Sequence, residues 1–273
     1  MSGSYINRPN RPLQLYAIFF LIVLYVPVLF LPLFSFNDSI YVRFPLEGFT
    51  LQWYSELFSR DAVWAALMNS VKVGSVVAVI STGFGIFAAK AITRYRFRGK
   101  APIVVFIMLP LVVPLIIFGV ALLVLLSTLG VPLSLYTVTL GHLILCIPFS
   151  IAVLMPRFEG FDASIEEASA DLGENAWWTF WRVTFPMVFP GVIASLLLSF
   201  TVSFDEFIMA FFLSGTDPTL PMYIWGQLRF PQNFPSVLAL SSMIIVTSFV
   251  IVFFGQWINR DASLSSIEGG KDK

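Results

Sequence analysis

Long apolar stretches separated by short polar or Pro/Gly-rich intervals set the pattern of this chain. Six of them approach or exceed the roughly 20 residues that a helix needs to cross a bilayer. They run at about 13–36, 62–89, 102–126, 133–155, 188–213 and 237–258. The first follows Arg8 and Arg11, but it is about twice as long as a signal-peptide core. Phe34-Ser35-Phe36 also offers no small-x-small cleavage site, so this stretch reads as a retained helix. The pattern predicts an all-α membrane protein, with a six-helix transmembrane domain at 13–258 and tails at 1–12 and 259–273.

Composition points the same way. Of 273 residues 58% are hydrophobic and 12% charged, with a mean hydropathy of +0.86, whereas a soluble domain is nearer half apolar and a quarter charged. That excludes a disordered chain and most soluble enzymes. The net charge is zero, so no basic footprint suggests a nucleic-acid partner. Cys146 is the single cysteine and permits no internal disulfide. No internal repeat or low-complexity segment is evident.

Orientation follows from the basic residues near the span ends. With the N-terminus inside, twelve fall on the cytoplasmic side: Arg8, Arg11, Lys90, Arg94, Arg96, Arg98, Lys100, Arg157, Arg182, Arg260, Lys271 and Lys273. Three fall outside, Arg43, Arg60 and Arg229. The expectation is that both termini are cytoplasmic. The knot Arg94–Lys100 is then a topology determinant, or a contact for anionic lipid or a partner. The outer segments at 37–61 and 214–236 are long enough for short interfacial helices, with Trp53, Trp64 and Trp225 at headgroup level, and either one offers a docking surface.

Within the spans, Gly74, Ala78, Ser81, Gly85 and Ala89 form a stripe of small residues that lets helices approach closely. Pro27, Pro32, Pro110, Pro114 and Pro148 are expected to kink their helices. Asp205 and Glu206 stand about two-thirds along the fifth span, roughly 28 Å beyond Pro186 along a helix. Carboxylates inside a bilayer mark either a cation-attracting path or a structural ion pair, for which Lys72 is a partner, or an interfacial acid. Neighbours on a helix differ by about 100°, so one acid is expected to face inward, Asp205, with Glu206 turned aside. His142, the single histidine, is expected to hydrogen-bond a neighbouring helix rather than a metal. Tyr223 and Trp225 fit an interfacial belt or a cation–π cradle.

The loop at 156–186 is the unusual segment. Ser164 and Glu167 have capping-box spacing, Gly173 suits a left-handed stop, and Asn175 suits the cap of a second helix through Trp177, Trp178, Phe180 and Trp181 to Pro186. Two short helices with a tight corner fit either insertion into a partner's groove or an amphipathic pair at the membrane surface. No nucleophile elbow, zinc-protease helix or Cys/His cluster is present, and Arg98-Gly99-Lys100-Ala101 lacks the upstream glycine and the hydroxyl of a phosphate loop. The expected chain has no catalytic residue, no metal site and no cofactor of its own. Energy must come from another polypeptide or an ion gradient.

Glu167-Ala168-Ser169, three residues, Gly173, nine residues, then Val183-x-Phe185-Pro186 resembles the cytoplasmic signature of bacterial ABC-importer permeases, with Ser169, Val183 and Phe185 as modest departures. Tyr95–Lys100, Gly160-Phe161-Asp162 and Ser203–Phe207 are similar to the second permease subunit of spermidine/putrescine importers, a likeness running from about the second span to the sixth. The resemblance implies a bacterial inner-membrane permease that forms half of a translocation path. It makes the loop a coupling-helix hairpin between helices 4 and 5, with Glu166, Glu167, Ala168, Ser169 and Gly173 as ATPase-coupling residues. Asp205 and Glu206 become substrate-pathway residues. The implied partners are a homologous second permease, two ATP-binding subunits that carry ATP and Mg, a solute-binding protein and the lipid bilayer. Polyamine is the implied solute, another cationic or zwitterionic solute the near alternative, and an ion-driven carrier or channel the alternative class.

Overall fold

The computed structural model describes residues 11–250, and within them the chain is helical apart from loops and one isolated bridge, Asn37 to Phe49. The long helices are α1 (Arg11–Ser35), α3 (Asp61–Arg94), α6 (Leu135–Glu159), α9 (Phe185–Asp205) and α12 (Pro231–Val250). Shorter ones lie between: α2 (Gln52–Ser59), α4 (Lys100–Met108), α5 (Leu115–Thr128), α7 (Ser164–Asp171), α8 (Ala176–Thr179), α10 (Ile208–Leu213) and α11 (Leu220–Gln227). Five runs are long and apolar enough to cross a membrane, and α4 with α5 makes a sixth if the bent pair is one span. The expected spans are recovered within a few residues, except the third and the fifth. The expected tail at 259–273, residues 1–10 of the expected tail at 1–12 and the end of the sixth span lie outside the described residues.

The third span does not merely kink. α4 and α5 meet at 96° across a single 3-10 turn, Leu109–Leu111, and an extended Pro114. Pro110 and Pro114 each lack an amide for the helical ladder, and two such losses four residues apart end one helix and start another.

The fifth span begins earlier and ends sooner than its hydropathy suggests. No stop occurs at Pro186. Ala176 to Asp205 is one apolar run of 30 residues, in which a π-turn at Phe180–Thr184 precedes Pro186. Widening the helix just before a proline relieves the clash of its ring with the carbonyl four residues back. At the other end the helix stops at Asp205, Glu206 is extended, and α10 follows as a separate short helix.

The chain forms two compact units. In the first, residues 1–61 with 226–273, the described part is organised around buried Asn37. Its carbonyl accepts the Trp53 indole N–H at 2.8 Å, and its side-chain oxygen accepts the Glu47 amide at 3.0 Å. α1 is almost wholly exposed and apolar, a surface that suits lipid.

The second unit, residues 62–225, is built on α3, α6 and α9. One apolar cluster joins Val73, Val77, Val138, Cys146, Met209 and Leu213; another joins Ile86, Ala89, Leu154, Phe158, Phe180 and Val188. Between them runs a polar seam. Ser150 Oγ meets Ser195 Oγ at 2.7 Å, Cys146 Sγ meets the Ser199 carbonyl at 3.7 Å, and His142 Nδ1 meets Ser203 Oγ at 2.8 Å. Steps of four on both antiparallel helices keep each rung opposite its partner. Thr82 of α3 joins the first rung at 3.0 Å from Ser195. The small-residue stripe of α3 is buried against these helices: a Cβ at Gly74 would press on the Phe200 ring, and one at Gly85 would strike Ser150 and Leu154.

Candidate functional site

Two places gather the residues singled out in the sequence: the α7–α8 hairpin and a cavity beside the end of α9. The hairpin starts at an Asx turn, where Asp162 Oδ1 accepts the Ser164 amide at 3.0 Å. That hydrogen bond holds the Asp162 carboxyl below the usual carboxylate range. Ser164 is the first helical residue rather than the cap, and Ala163 stands at the N-cap position without a side-chain cap, so the expected capping box is not formed. Asp162, with its shorter reach to an amide two residues on, has taken over that task.

The corner follows expectation. Gly173 is left-handed at φ 90°; its amide bonds the Ala170 carbonyl at 2.9 Å and the Glu174 amide bonds that of Ser169 at 3.2 Å. These are the two bonds of a Schellman stop. Asn175 Oδ1 then caps α8 by accepting the Trp177 and Trp178 amides at 3.1 and 3.0 Å.

α7 has two distinct faces. Glu166 and Ser169, three residues apart, turn inward; Ser169 is buried and hydrogen-bonds Thr179 at 3.0 Å, tying α7 to α8. Glu167, Ala168, Asp171 and Leu172 turn outward, and Leu172 at the tip is 88% exposed. The inward acid is gripped from several sides. Lys90 Nζ lies 3.1 Å from Glu166 Oε1, Arg94 Nε lies 3.5 Å from Oε2, and the Thr184 hydroxyl of the π-turn donates to Oε1. Arg94 also donates to the Phe161 carbonyl at 2.9 Å and stacks its guanidinium 4.1 Å from that ring. Lys90, Arg94 and Thr184 were not singled out from the sequence as parts of this site. The signal was there: two cations four residues apart at a helix end, facing an acid-rich loop.

The cavity, about 420 Å³, is walled by Pro110 and Leu111 at the break between α4 and α5, by Leu145 and Phe149 of α6, and by Thr201, Asp205 and Glu206. Both acids reach it, against the expectation that one would turn aside. The reason is that α9 ends at Asp205, so the 100° step between helical neighbours no longer applies at Glu206. Glu206, one residue before the N-cap Phe207, accepts the Met209 amide of the first turn of α10 at 2.9 Å through Oε1. Among the described residues neither acid has an ion-pair partner. Lys72 pairs with neither of them; it lines a separate cavity of about 380 Å³, one wall of which is Asp217.

His142 bonds Ser203 across the seam, as expected of a lone histidine between helices. Among the described residues no group of three or more His, Cys, Asp and Glu side chains converges in the manner of a metal centre.

Comparison with known proteins places this architecture. Residues 81–263 match the family model of the binding-protein-dependent transport system inner membrane component. The spermidine/putrescine transport system permease protein PotC of Escherichia coli K12 is 34% identical over 241 residues, covering 87% of this chain and 90% of PotC. The putrescine transport system permease protein PotI of the same organism is 34% identical over 252 residues, 89% of each chain. A probable molybdenum ABC transporter permease of Haloferax volcanii is 33% identical over 175 residues, covering 61% of this chain and 65% of that one. The same fold occurs in a bacterial ABC transporter involved in the import of the acidic polysaccharide alginate, at a TM-score of 0.70 and 18% identity, covering 93% of this chain and 99% of that one. The chain belongs to the family of binding-protein-dependent transport system inner membrane components, the multi-pass permease subunits of ABC importers.

Proposed function

We propose that this chain is half of the membrane path of a polyamine importer in a bacterial inner membrane, with both termini cytoplasmic. The observation that carries the solute class is the identity to PotC and PotI across nearly nine-tenths of the chain. Two carboxylates without an ion-pair partner among the described residues, on one wall of a cavity, support it, because an uncompensated negative wall favours a cation and repels an anion. Asp205 and Glu206 are the pathway residues, Glu206 with its position fixed by its hydrogen bond from the Met209 amide.

The α7–α8 hairpin is the coupling element. Its outward face, Glu167, Ala168, Asp171 and Leu172, offers charge and one apolar knob to a groove on an ATP-binding subunit. Ser169 and Gly173 shape that face from behind, one by its bond to Thr179, the other by its backbone conformation. ATP and Mg belong to two such subunits. A second permease supplies the other half of the path, and a solute-binding protein delivers to the outer loops. This chain's own work is mechanical and electrostatic: it receives motion at α7 and presents a negative cavity whose access alternates. Family membership removes the support for an ion-driven carrier or channel.

The test is purification of the complex from its native membrane and reconstitution in liposomes. A second permease and an ATPase are expected to co-purify, and the binding protein with putrescine or spermidine is expected to stimulate ATP hydrolysis. An ATPase partner with no response to polyamine discards the solute, and absence of an ATPase discards the coupling role.

A further inference from the structure

α7 hangs between two loops, at 160–163 and 172–175, and neither loop alone would carry a push into the membrane helices. Ser169 bonds Thr179 in the run that continues into α9, and Glu166 joins α7 to α3 as well. The Glu166 side chain is 15% exposed, and those of Lys90 and Arg94 are 18% and 15% exposed, so the ion pairs are shielded from water on both sides. Lys90 and Arg94 sit one turn apart at the end of α3, which runs unbroken from Asp61. The third hold on Glu166 is Thr184, which ends the π-turn and leads directly into α9. One carboxylate therefore ties the hairpin to both α3 and α9.

We propose that Lys90, Arg94 and Thr184 are positioning residues, which clamp Glu166 so that displacement of α7 is delivered as one rigid movement to α3 and α9. The clamp rests on the reading of α7 as the ATPase contact. It assigns Glu166 to the inside of this chain: the partner meets the outward face, and Glu166 holds the inward face to the membrane helices. Lys90 and Arg94 thus serve beyond setting topology, since a positive charge placed only for orientation needs no fixed partner.

The experiment uses the reconstituted complex and reads solute transported per ATP hydrolysed, together with ATPase recovery on purification. Lys90→Met is expected to retain the ATPase subunit and lower solute per ATP about fivefold, the shift given by loss of a largely shielded ion pair that biases a two-state element. Lys90→Arg is expected to restore most of it. Lys90→Met combined with Glu166→Gln is expected to be no worse than Glu166→Gln alone, because Glu166→Gln already removes the link that Lys90 makes, along with that of Arg94. Should Lys90→Met fail to assemble, Thr184→Val, which keeps the side chain's volume, carries the same expectation. Normal transport per ATP in Lys90→Met or Thr184→Val, or losses that add in the double variant, overturns the clamp. Loss of the ATPase from Glu166→Gln complexes also overturns it, since Glu166 is then a partner contact. The underlying reading fails differently, through Glu167→Arg complexes that still hold their ATPase.

Discussion

His142 Nδ1 lies 2.8 Å from Ser203 Oγ, the last of three rungs that pair α6 with α9 in antiparallel register. Lipid gives helices no hydrophobic reason to associate, so close packing and these polar contacts must hold the pair. Ser203→Ala is expected to destabilise the protein by about 0.6 kcal/mol and at most about 1.7 kcal/mol, the average and the maximum for single hydrogen bonds between membrane helices. Ser150→Leu should cost more, roughly 1–3 kcal/mol from overpacking against buried neighbours, with the Ser195 and Gly85 contacts disturbed as well. Thermal melts in detergent decide this, and an unchanged melt for Ser150→Leu would remove the seam as a stabilising element.

Gly173 turns the corner between α7 and α8 at φ 90°, with open space where a Cβ would stand. A side chain there meets backbone strain alone. Gly173→Val is expected to cost about 1–2 kcal/mol and to lower ATPase recovery by loosening the hairpin. Gly173→Asn should cost less, because asparagine tolerates the left-handed region. Equal behaviour of the two variants would mean that the corner's geometry does not matter.

Glu167 is on the exposed face of α7 and borders the cavity lined by Lys90, Arg94 and Glu166, but among the described residues it makes no ion pair that charge reversal would remove. Glu167→Arg is therefore expected to abolish co-purification of the ATPase or to uncouple hydrolysis from uptake, while the permease itself melts normally. Normal uptake in that variant takes the coupling role away from this face.

Asp205 and Glu206 share a cavity but not a structural duty. Asp205→Asn removes charge only, and it should raise the KM for polyamine up to about tenfold with unchanged complex yield. Glu206→Ala removes charge and the hydrogen bond to the Met209 amide together, so it should lower both uptake and stability, the latter by about 1 kcal/mol. Unaltered polyamine uptake in Asp205→Asn means that this carboxylate does not act on the solute.

Much of the site is legible in the order of residues alone. The glycine stop at Gly173, the cap at Asn175 and the small-residue stripe from Gly74 to Ala89 are local or periodic features, and each stands where the spacing put it. The clamp on Glu166 is not legible in that way, because Lys90 and Thr184 lie 76 and 18 residues away from it in sequence. No local rule links such positions. The serine ladder is hidden for a similar reason: Ser195, Ser199 and Ser203 repeat every four residues, but their meaning depends on which helix lies opposite.

The sequence by itself determined that the chain is a set of apolar helices, roughly where most of them begin, and which loop is built as a hairpin. Hydropathy, caps and turn glycines act over a few residues, so they are written locally. Only the tertiary structure decided where helices break and who meets whom. Pro110 and Pro114 made a right-angle break rather than a kink, and the early end of α9 brought both Asp205 and Glu206 to one cavity. A missing amide weakens a helix, but whether it bends, widens into a π-turn or stops depends on the partners available to the freed carbonyls. Those partners come from distant parts of the chain.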